Sequence, residues 1–579
     1  MRLLEALEAI KQSPSPESPL LDVQLACGIT PLHFATFLQA HLHRVFPSYR
    51  IAISSGAFGD LSGNLERLRT TVNSLVVALI EWQDLDPRLG IRSLGGWSPR
   101  QLPEIVRTAR DQTARISTAI ESLNLSNRVA VSLPTLPLPP IAFTPTYLLS
   151  RFECDLHNMM ARFSSRLSEL PAVCQVNSQY IDQISPLSSR LDVKSEFNAG
   201  FPYSLTHTDG LAYLITKLLK GQLPKKGLIT DLDDTLWLGI IGEVSPEGIS
   251  WDLDHRAQKH GIYQQFLSSL AESGTLIAVA SKNNPALVEE AFRIRKPLIS
   301  RQQIFPLEAN WEPKPASIQR ILETWNVGAE SVVFVDDSNL DLAEVATAYP
   351  SIECVLFPKD DDEATLRLLN NLRDRFGKTS ISTEDQIRLE SIRSSRVVAG
   401  AAKAAGYTPE RFLQEAEGRI AASFAKDPLD PRALELVNKT NQFNLNGKRH
   451  TESSWIRYLS DPEIFLMVAS YEDRFGPLGK IAVVTGRARG NTLDIHHWVM
   501  SCRAFSRRIE HGCLLWLLQK FDAEEMVFDF AKTPRNGPSQ EFFTQLLGKA
   551  PQTKFSLSRQ QFIENKPLIY LNIEDDSGE

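Results

Sequence analysis

The sequence is short of cysteine. Its six residues, Cys27, Cys154, Cys174, Cys354, Cys502 and Cys513, are spread over 579 positions with no CxxC pair. That spacing fits a reducing compartment better than a disulfide framework or a zinc site. Long apolar runs are missing too. Near the amino end the longest is LVVALI at 75–80, far below the ~20 residues that span a bilayer. The opening MRLLEALEAIKQS has apolar residues at helical spacing and mixed charge, unlike a secretory signal. A cytoplasmic protein that does not enter membranes is expected. Excess positive charge is also missing. With 62 Lys and Arg against 69 Asp and Glu the net charge is −7, which argues against nucleic acid as a partner but leaves room for a local basic site for a small anion. No repeat and no low-complexity tract is evident.

What is present is ordinary globular material, 42% apolar and 23% charged, enough for several cores and, by length, three or four domains. Three blocks separate by pattern. The first, 1–222, mixes helical segments (33–46, 64–72) with short strand-like runs (51–53, 75–80), which predicts a parallel sheet with helices on its faces. A proline-rich stretch at 133–145 divides it as an extended connection, and GQLPKK at 221–226 reads as a linker. The second block, 227–378, has strand runs at 227–231, 276–281 and 332–337, separated by helical stretches at 257–273, 285–294 and 316–325. Such a βαβ series predicts a parallel sheet. The third, 383–579, opens with helical 384–406 and continues with strands near 464–470, 480–485 and 493–500 and a helix at 509–520. A separate α/β domain is expected there.

The strands of the second block all end in Asp or Ser, and ligands of open α/β sheets bind beyond the carboxyl ends of the strands. Asp231 and Asp233 follow the first strand in GLITDLDDTLWLG, Ser281 ends the second, Lys314 lies in NWEPKPAS, and Asp336, Asp337 and Asp341 follow the third. Clustered carboxylates suit a hard cation such as magnesium. A lysine and a hydroxyl suit phosphate oxygens, Asp231 is placed to attack phosphorus, and Asp233 to handle the leaving-group proton. Each stretch alone reads equally well as a polar loop or helix cap; their order points to a phosphate site.

DLDDT, the Ser of VASKNN, Lys314 and DDSNLD resemble, in order, the four motifs of the haloacid dehalogenase phosphatases. The resemblance implies a Rossmann-like domain without a large cap, because only LWLGIIGEVSPEGISW and one helix separate the first two motifs. It implies Asp231 as nucleophile and Asp233 as general acid and base. It also implies Asp231, Asp233, Asp336 and Asp337 as magnesium ligands, with Thr235, Ser281, Lys282, Asn283 and Lys314 around the phosphate. More narrowly, DLDDTLWLGIIGE, NWEPKPASI, VNKTNQFNLNGKRHT and MSCRAFSRR resemble the FkbH-like glyceryl transferase/phosphatases of polyketide assembly lines. IEWQDLDPRLGIRSLGGW (80–97) resembles the amino-terminal region of longer members. This resemblance implies that 1,3-bisphosphoglycerate is dephosphorylated and its glyceryl group loaded onto the phosphopantetheine thiol of an acyl carrier protein, with Mg2+ as cofactor.

For the acyl step Cys502 in MSCR is the expected nucleophile, its thiolate favoured by Arg503, Arg507 and Arg508; the competing reading is a small buried core residue. Alternation along an extended strand puts His496 on the Cys502 side but ~20 Å away, and His497 on the other face, so a base from another element is expected. Asn438, Thr440, Asn441, Gln442 and Asn444, with Arg503, are the expected acyl or pantetheine contacts; the alternative for the amides is a turn with Asn caps. The block resembles a GNAT acyltransferase fold, in which a Gly-rich turn opening a helix meets a pyrophosphate. Here Ser506 and Arg508 replace both glycines. The first block resembles an SGNH-hydrolase-like three-layer fold, with GDLS (59–62) and HTDG (207–210) as loose counterparts of its motifs. Lacking a clean GDS, it is expected to be a non-catalytic scaffold or carrier-docking domain. Two alternatives remain open for the whole chain: a stand-alone magnesium-dependent phosphatase of a small metabolite, and a non-catalytic assembly-line scaffold.

Overall fold

The computed structural model describes residues 1–576 except 13, 71–73, 125–127, 222, 405–408, 428, 475, 502–503 and 506. The chain forms two compact units, Met1–Gln222 with Thr451–Trp455, and Leu223–His450 with Ile456–Glu579.

In the first unit β1 (Leu20–Cys27), β2 (Arg50–Ser55), β3 (Leu75–Leu79), β4 (Arg128–Ser132) and β5 (Val173–Gln175) form a parallel sheet in the order β2-β1-β3-β4-β5. Strand alternation divides its apolar residues between two cores. Val76, Ala78, Val129 and Val131 pack with Ile105, Ile116, Leu156 and Phe163 of helices Leu102–Asn124 and Arg151–Ser168. Val77, Leu79 and Ala130 face the opposite way, against Phe34, Phe37, Leu211 and Ile215 of helices Leu32–Val45 and Leu205–Lys220. Three layers result. The 133–145 stretch has no helix or strand.

The second unit opens with a parallel sheet of β6 (Gly227–Thr230), β7 (Leu276–Ser281), β8 (Ile304–Ala309), β9 (Val332–Asp336) and β10 (Glu353–Leu356), ordered β10-β9-β6-β7-β8. Helices on both faces bury β6, β7 and β9 throughout, which is why these strands read as continuous apolar runs rather than as alternation. Two helices, Ile241–Gly248 and Gln258–Glu272, lie between β6 and β7 where the sequence pointed to one. The first is kinked at Ser245, just before Pro246, whose ring cannot continue a regular helix. No strand lies among the described residues of this connection, so no large cap domain is inserted.

The rest of the unit is an eight-stranded, mainly antiparallel sheet. Its strands are β11 (Gly418–Ser423), β12 (Phe443–Asn444), β13 (Ile464–Asp473), β14 (Gly476–Arg489), β15 (Thr492–Met500), β16 (Glu525–Phe528), β17 (Phe555–Ser558) and β18 (Leu571–Asp575). β15 runs parallel to β16 only from Thr492 to Ile495, and β12 pairs with β15 at Val499 and Met500. Leu445 N donates to Trp498 O (2.9 Å) and accepts at its own carbonyl from Ala531 N (3.1 Å), so the chain itself bridges the diverging segments.

Candidate active site

The carboxyl edge of the β6–β10 sheet gathers the polar ends of four elements. Asp231, first residue past β6, is buried and anchored by its N–H to Val335 O (3.0 Å). The backbone turns at Asp234 through a left-handed φ of 50°, and Asp234 Oδ1 accepts from Gly239 N (2.9 Å). Asp233 is thereby held with its carboxylate on three donors: Trp237 Nε1 (2.9 Å) and Ile241 N (3.2 Å) on Oδ1, and Asn283 Nδ2 (3.0 Å) on Oδ2. Asn283 also donates to Ser281 Oγ (3.0 Å), which ties the end of β7 to Asp233. Lys314 begins the helix Lys314–Trp325 and is 2% exposed, with its ammonium 3.0 Å from Asp231 and paired with Asp336. Thr235 is buried, and its hydroxyl lies 3.4 Å from Asp337 Oδ1. Lys282 stands at the rim, 2.8 Å from Asp341.

The electrostatics follow from burial. Desolvation pushes the Asp231 carboxyl up, against the pull of Lys314 and Ser281. Asp336 is pushed up to about 6 by burial and by the charge of Asp231, with Lys314 opposing. For Lys314 burial works against the charge, but Asp231 and Asp336 outweigh it and hold the ammonium. Oxygens of Asp231, Asp336 and Asp337 lie within 4.8 Å of one another. An all-oxygen set of this kind fits a hard divalent ion, and three acids exceed the charge that Lys314 supplies. Lys359, from the loop after β10, reaches Asp337 at 2.8 Å and Asp234 at 3.7 Å. Neither it nor Trp237 was singled out from the sequence: 22 residues separate Lys359 from Asp337, and Trp237 reads as a core residue.

The residues assigned to acyl transfer are placed differently. Cys502 and Arg503 lie outside the described residues. Arg507 is buried on Asp473 (3.1 Å) and Arg508 pairs with Glu410 (2.7 Å). Both charges are therefore already matched by carboxylates. Arg508 takes a φ of 59°, the left-handed conformation usually given to glycine, at the start of helix Ile509–Lys520. Asn438 exchanges two bonds with the His450 backbone (2.8 and 2.9 Å). Asn444 accepts from Asn446 N and Gly447 N and donates to Thr440 O, and Asn441 accepts from Arg449 (2.6 Å). Thr440, Asn441 and Gln442 also wall a cavity with Met500 and Ser501.

His496 and His497 do not face opposite ways. β14 and β15 shift register between Thr485 and Gly486, whose partners are His497 and Ile495, so His496 is an extra residue. Such a bulge re-aims side chains. Tyr458 OH meets both His496 Nδ1 and Thr485 Oγ1 (2.9 Å each), Thr485 meets His497 Nδ1 (3.0 Å), and His497 meets His450 (2.8 Å between Nε2 atoms). Burial pushes His497 down to about 3.

In the first unit the two hydrolase-like stretches are engaged in structure. Asp60 caps helix Leu61–Arg67 through Gly63 N (2.9 Å), and Ser62 is buried with its hydroxyl on Gln112 (3.3 Å). His207 is fully buried between Thr135 and Ser185 (3.0 Å each).

No family model and no curated protein matches the chain. Among solved structures it is similar to the N-terminal part of the protein BF1531 from Bacteroides fragilis, which contains a phosphatase domain and is complexed with Mg. The TM-score is 0.50 at 19% identity, over 66% of this chain and 100% of that one. An uncharacterized protein from Corynebacterium glutamicum matches at a TM-score of 0.19 and 18% identity, over 27% of this chain and 98% of its own. The first likeness is one of fold: α/β units with parallel sheets.

Proposed function

We propose that the carboxyl edge of the β6–β10 sheet is a magnesium-dependent phosphatase site. The observation that carries this is the convergence of Asp231 and Asp233 after β6, Ser281 at the end of β7, Asp337 after β9 and Lys314 at the start of its helix onto one sheet edge. Asp231 and Asp337, with Asp336 beside them and the Asp233 carbonyl, would hold the ion. When bound, magnesium offsets the acids' repulsion and polarises the phosphoryl oxygens. Lys314 and the Ser281 hydroxyl bind the phosphoryl oxygens. Asp231 attacks phosphorus and takes the phosphoryl group, while Asp233, oriented by Trp237 and Asn283, gives a proton to the departing alkoxide oxygen, which leaves as a hydroxyl. Asp233 then takes a proton from the water that frees phosphate from Asp231. The fixed orientation of Asp233 supports the acid and base role.

The finer reading is that of a glyceryl transferase/phosphatase. A thiolate, assigned by resemblance to Cys502, displaces phosphate from the acyl phosphate of 1,3-bisphosphoglycerate. The acyl group then passes to the phosphopantetheine thiol of an acyl carrier protein. A specific observation favours this over a stand-alone phosphatase: segments Thr440–Gln442 and Met500–Ser501, distant in sequence, share one cavity. The test has two readouts. Phosphate release should require Mg2+ and stop on chelation; failure of every phosphate ester to turn over would leave the scaffold reading. Intact-protein mass spectrometry should find an acyl adduct that Cys502→Ala abolishes, and an undiminished adduct would remove Cys502 from its role.

A further inference from the structure

Exposed apolar side chains gather at one edge of the first unit. The loops that follow β2, β3, β4 and β5 (56–60, 80–101, 133–150 and 176–204) all leave the carboxyl edge of its parallel sheet. On them Phe58, Leu94, Phe143, Tyr147, Leu149 and Phe197 stand 56% to 91% exposed. Single exposed leucines are ordinary on a protein surface, whereas large apolar residues collected on one face mark an interaction site. The loops converge. Arg92 lies over the Phe58 ring at 5.6 Å and donates from Nη1 to the carbonyl of Glu196 (2.6 Å), the residue before Phe197. Ile91, Pro139, Leu191 and Glu196 wall one small cavity. Buried polar groups pin the loops from beneath. The Glu81 carboxylate accepts from Thr135 Oγ1 (2.7 Å) and Tyr203 OH (2.9 Å), and Trp82 Nε1 donates to Leu136 O (2.9 Å). Five prolines stiffen 133–150. Side chains on loops held in this way cannot fold back into a core, so their exposure is built into the fold.

We propose that this edge is an interface with a second copy of the chain, the two copies related by a two-fold axis. Area is the first argument. At ~200 Å2 for a fully exposed large side chain, the six residues present roughly 800 Å2, which is what one partner contributes to a stable interface of standard size and more than the ~300–600 Å2 of a monomer's largest patch. Charge is the second. No charged residue lies in 133–150 or in 93–99, and Arg92 is engaged by Phe58 and Glu196. An acidic or basic partner would find little to pair with there, whereas a second copy brings the same neutral, apolar surface. A two-fold axis sets such a patch against itself and closes the assembly at two. Four of the six residues are aromatic, the type enriched at interfaces, and the pinned loops lose little freedom on association. In open α/β sheets this is the edge that binds ligands. Here Ser62 and His207, from the two hydrolase-like stretches, are buried in structure, and the edge serves association instead. The proposal does not depend on the chemistry at Asp231.

Sedimentation velocity of the full chain tests it. Over about 0.1 to 50 μM, a range that covers the weaker end of standard interfaces, the wild type should reach twice the mass of one chain and go no higher. Tyr147→Glu combined with Leu149→Glu puts two charges on the surface. It should raise the Kd of the dimer at least ~30-fold, with a melting curve that matches the wild type. Leu94→Ser combined with Phe143→Ser introduces no charge and should weaken the dimer in the same direction, which keeps the test sound if the glutamates disturb their loop. Leu20, the first residue of β1, is exposed at the opposite edge of the sheet, and Leu20→Glu should leave the dimer intact. A wild type that keeps the mass of one chain at the highest concentration overturns the proposal. So does a dimer that survives both double variants, or one that Leu20→Glu dissociates equally well. Oligomers that grow past two copies with concentration overturn the two-fold arrangement.

Discussion

His207 shows how far one side chain can be committed to structure. Its ring has no exposure, sits between Thr135 and Ser185, and is pushed down to about 3 by burial and then by Arg190. An unfolded imidazole titrates near ~6.5. Between these values the unfolded chain binds the extra proton. The contribution of the neutral ring is therefore complete above pH ~6.5 and is lost as the pH falls toward 3, by about 2 kcal/mol at pH 5. In His207→Gln, the drop in the melting temperature of the first unit between pH 7 and pH 5 should be shallower than in the wild type; an equally steep drop would assign it to other groups. This role was not legible in HTDG, because a triad histidine and a sealed one have the same letters around them. Asp231, Asp233, Ser281 and Lys314 were legible, because each stands at a strand end or loop whose position the apolar runs define.

At the scale of the element, strands buried on both sides were legible, and so was the run 51–53 of the edge strand β2. β3, β7 and β9 are unbroken apolar runs, whereas β1 (LLDVQLAC) is interrupted by Asp22, whose carboxylate accepts from Gln24 and Ser74. The short edge strands β5 and β10 bury too little to be marked by pattern. The bulge at His496 escaped because a period of two presumes regular register, and the extra residue shows only against β14. Close packing also sets one strict requirement inside β6. A Cβ on Gly227 would lie 2.3 Å from Trp325 Cζ3, a fully buried ring wall of the helix that begins with Lys314. Gly227→Val should cost about 1–3 kcal/mol, measured by urea denaturation. It should also lower turnover by shifting Lys314 against Asp231; unchanged stability would mean that Trp325 can move aside freely.

For the whole molecule, two compact units predict two thermal transitions, and only the unit with the β6–β10 sheet should respond to magnesium. An ion that binds the folded state alone at 100 times its Kd adds about 2.7 kcal/mol. Differential scanning calorimetry should show one transition moving up with Mg2+ and the other fixed, and Asp337→Asn should remove the response. Carboxylates in such number at a strand end repel one another, and a cation with a phosphate is what makes their placement useful. The most direct test of that claim is phosphate release by wild type and Asp231→Asn, compared at saturating Mg2+ and after melting curves show both to be folded. The wild type should turn over a phosphate ester, and Asp231→Asn should be slower by at least about 10³-fold. Equal turnover by the two would contradict Asp231 as the nucleophile and with it the site proposed at this sheet edge.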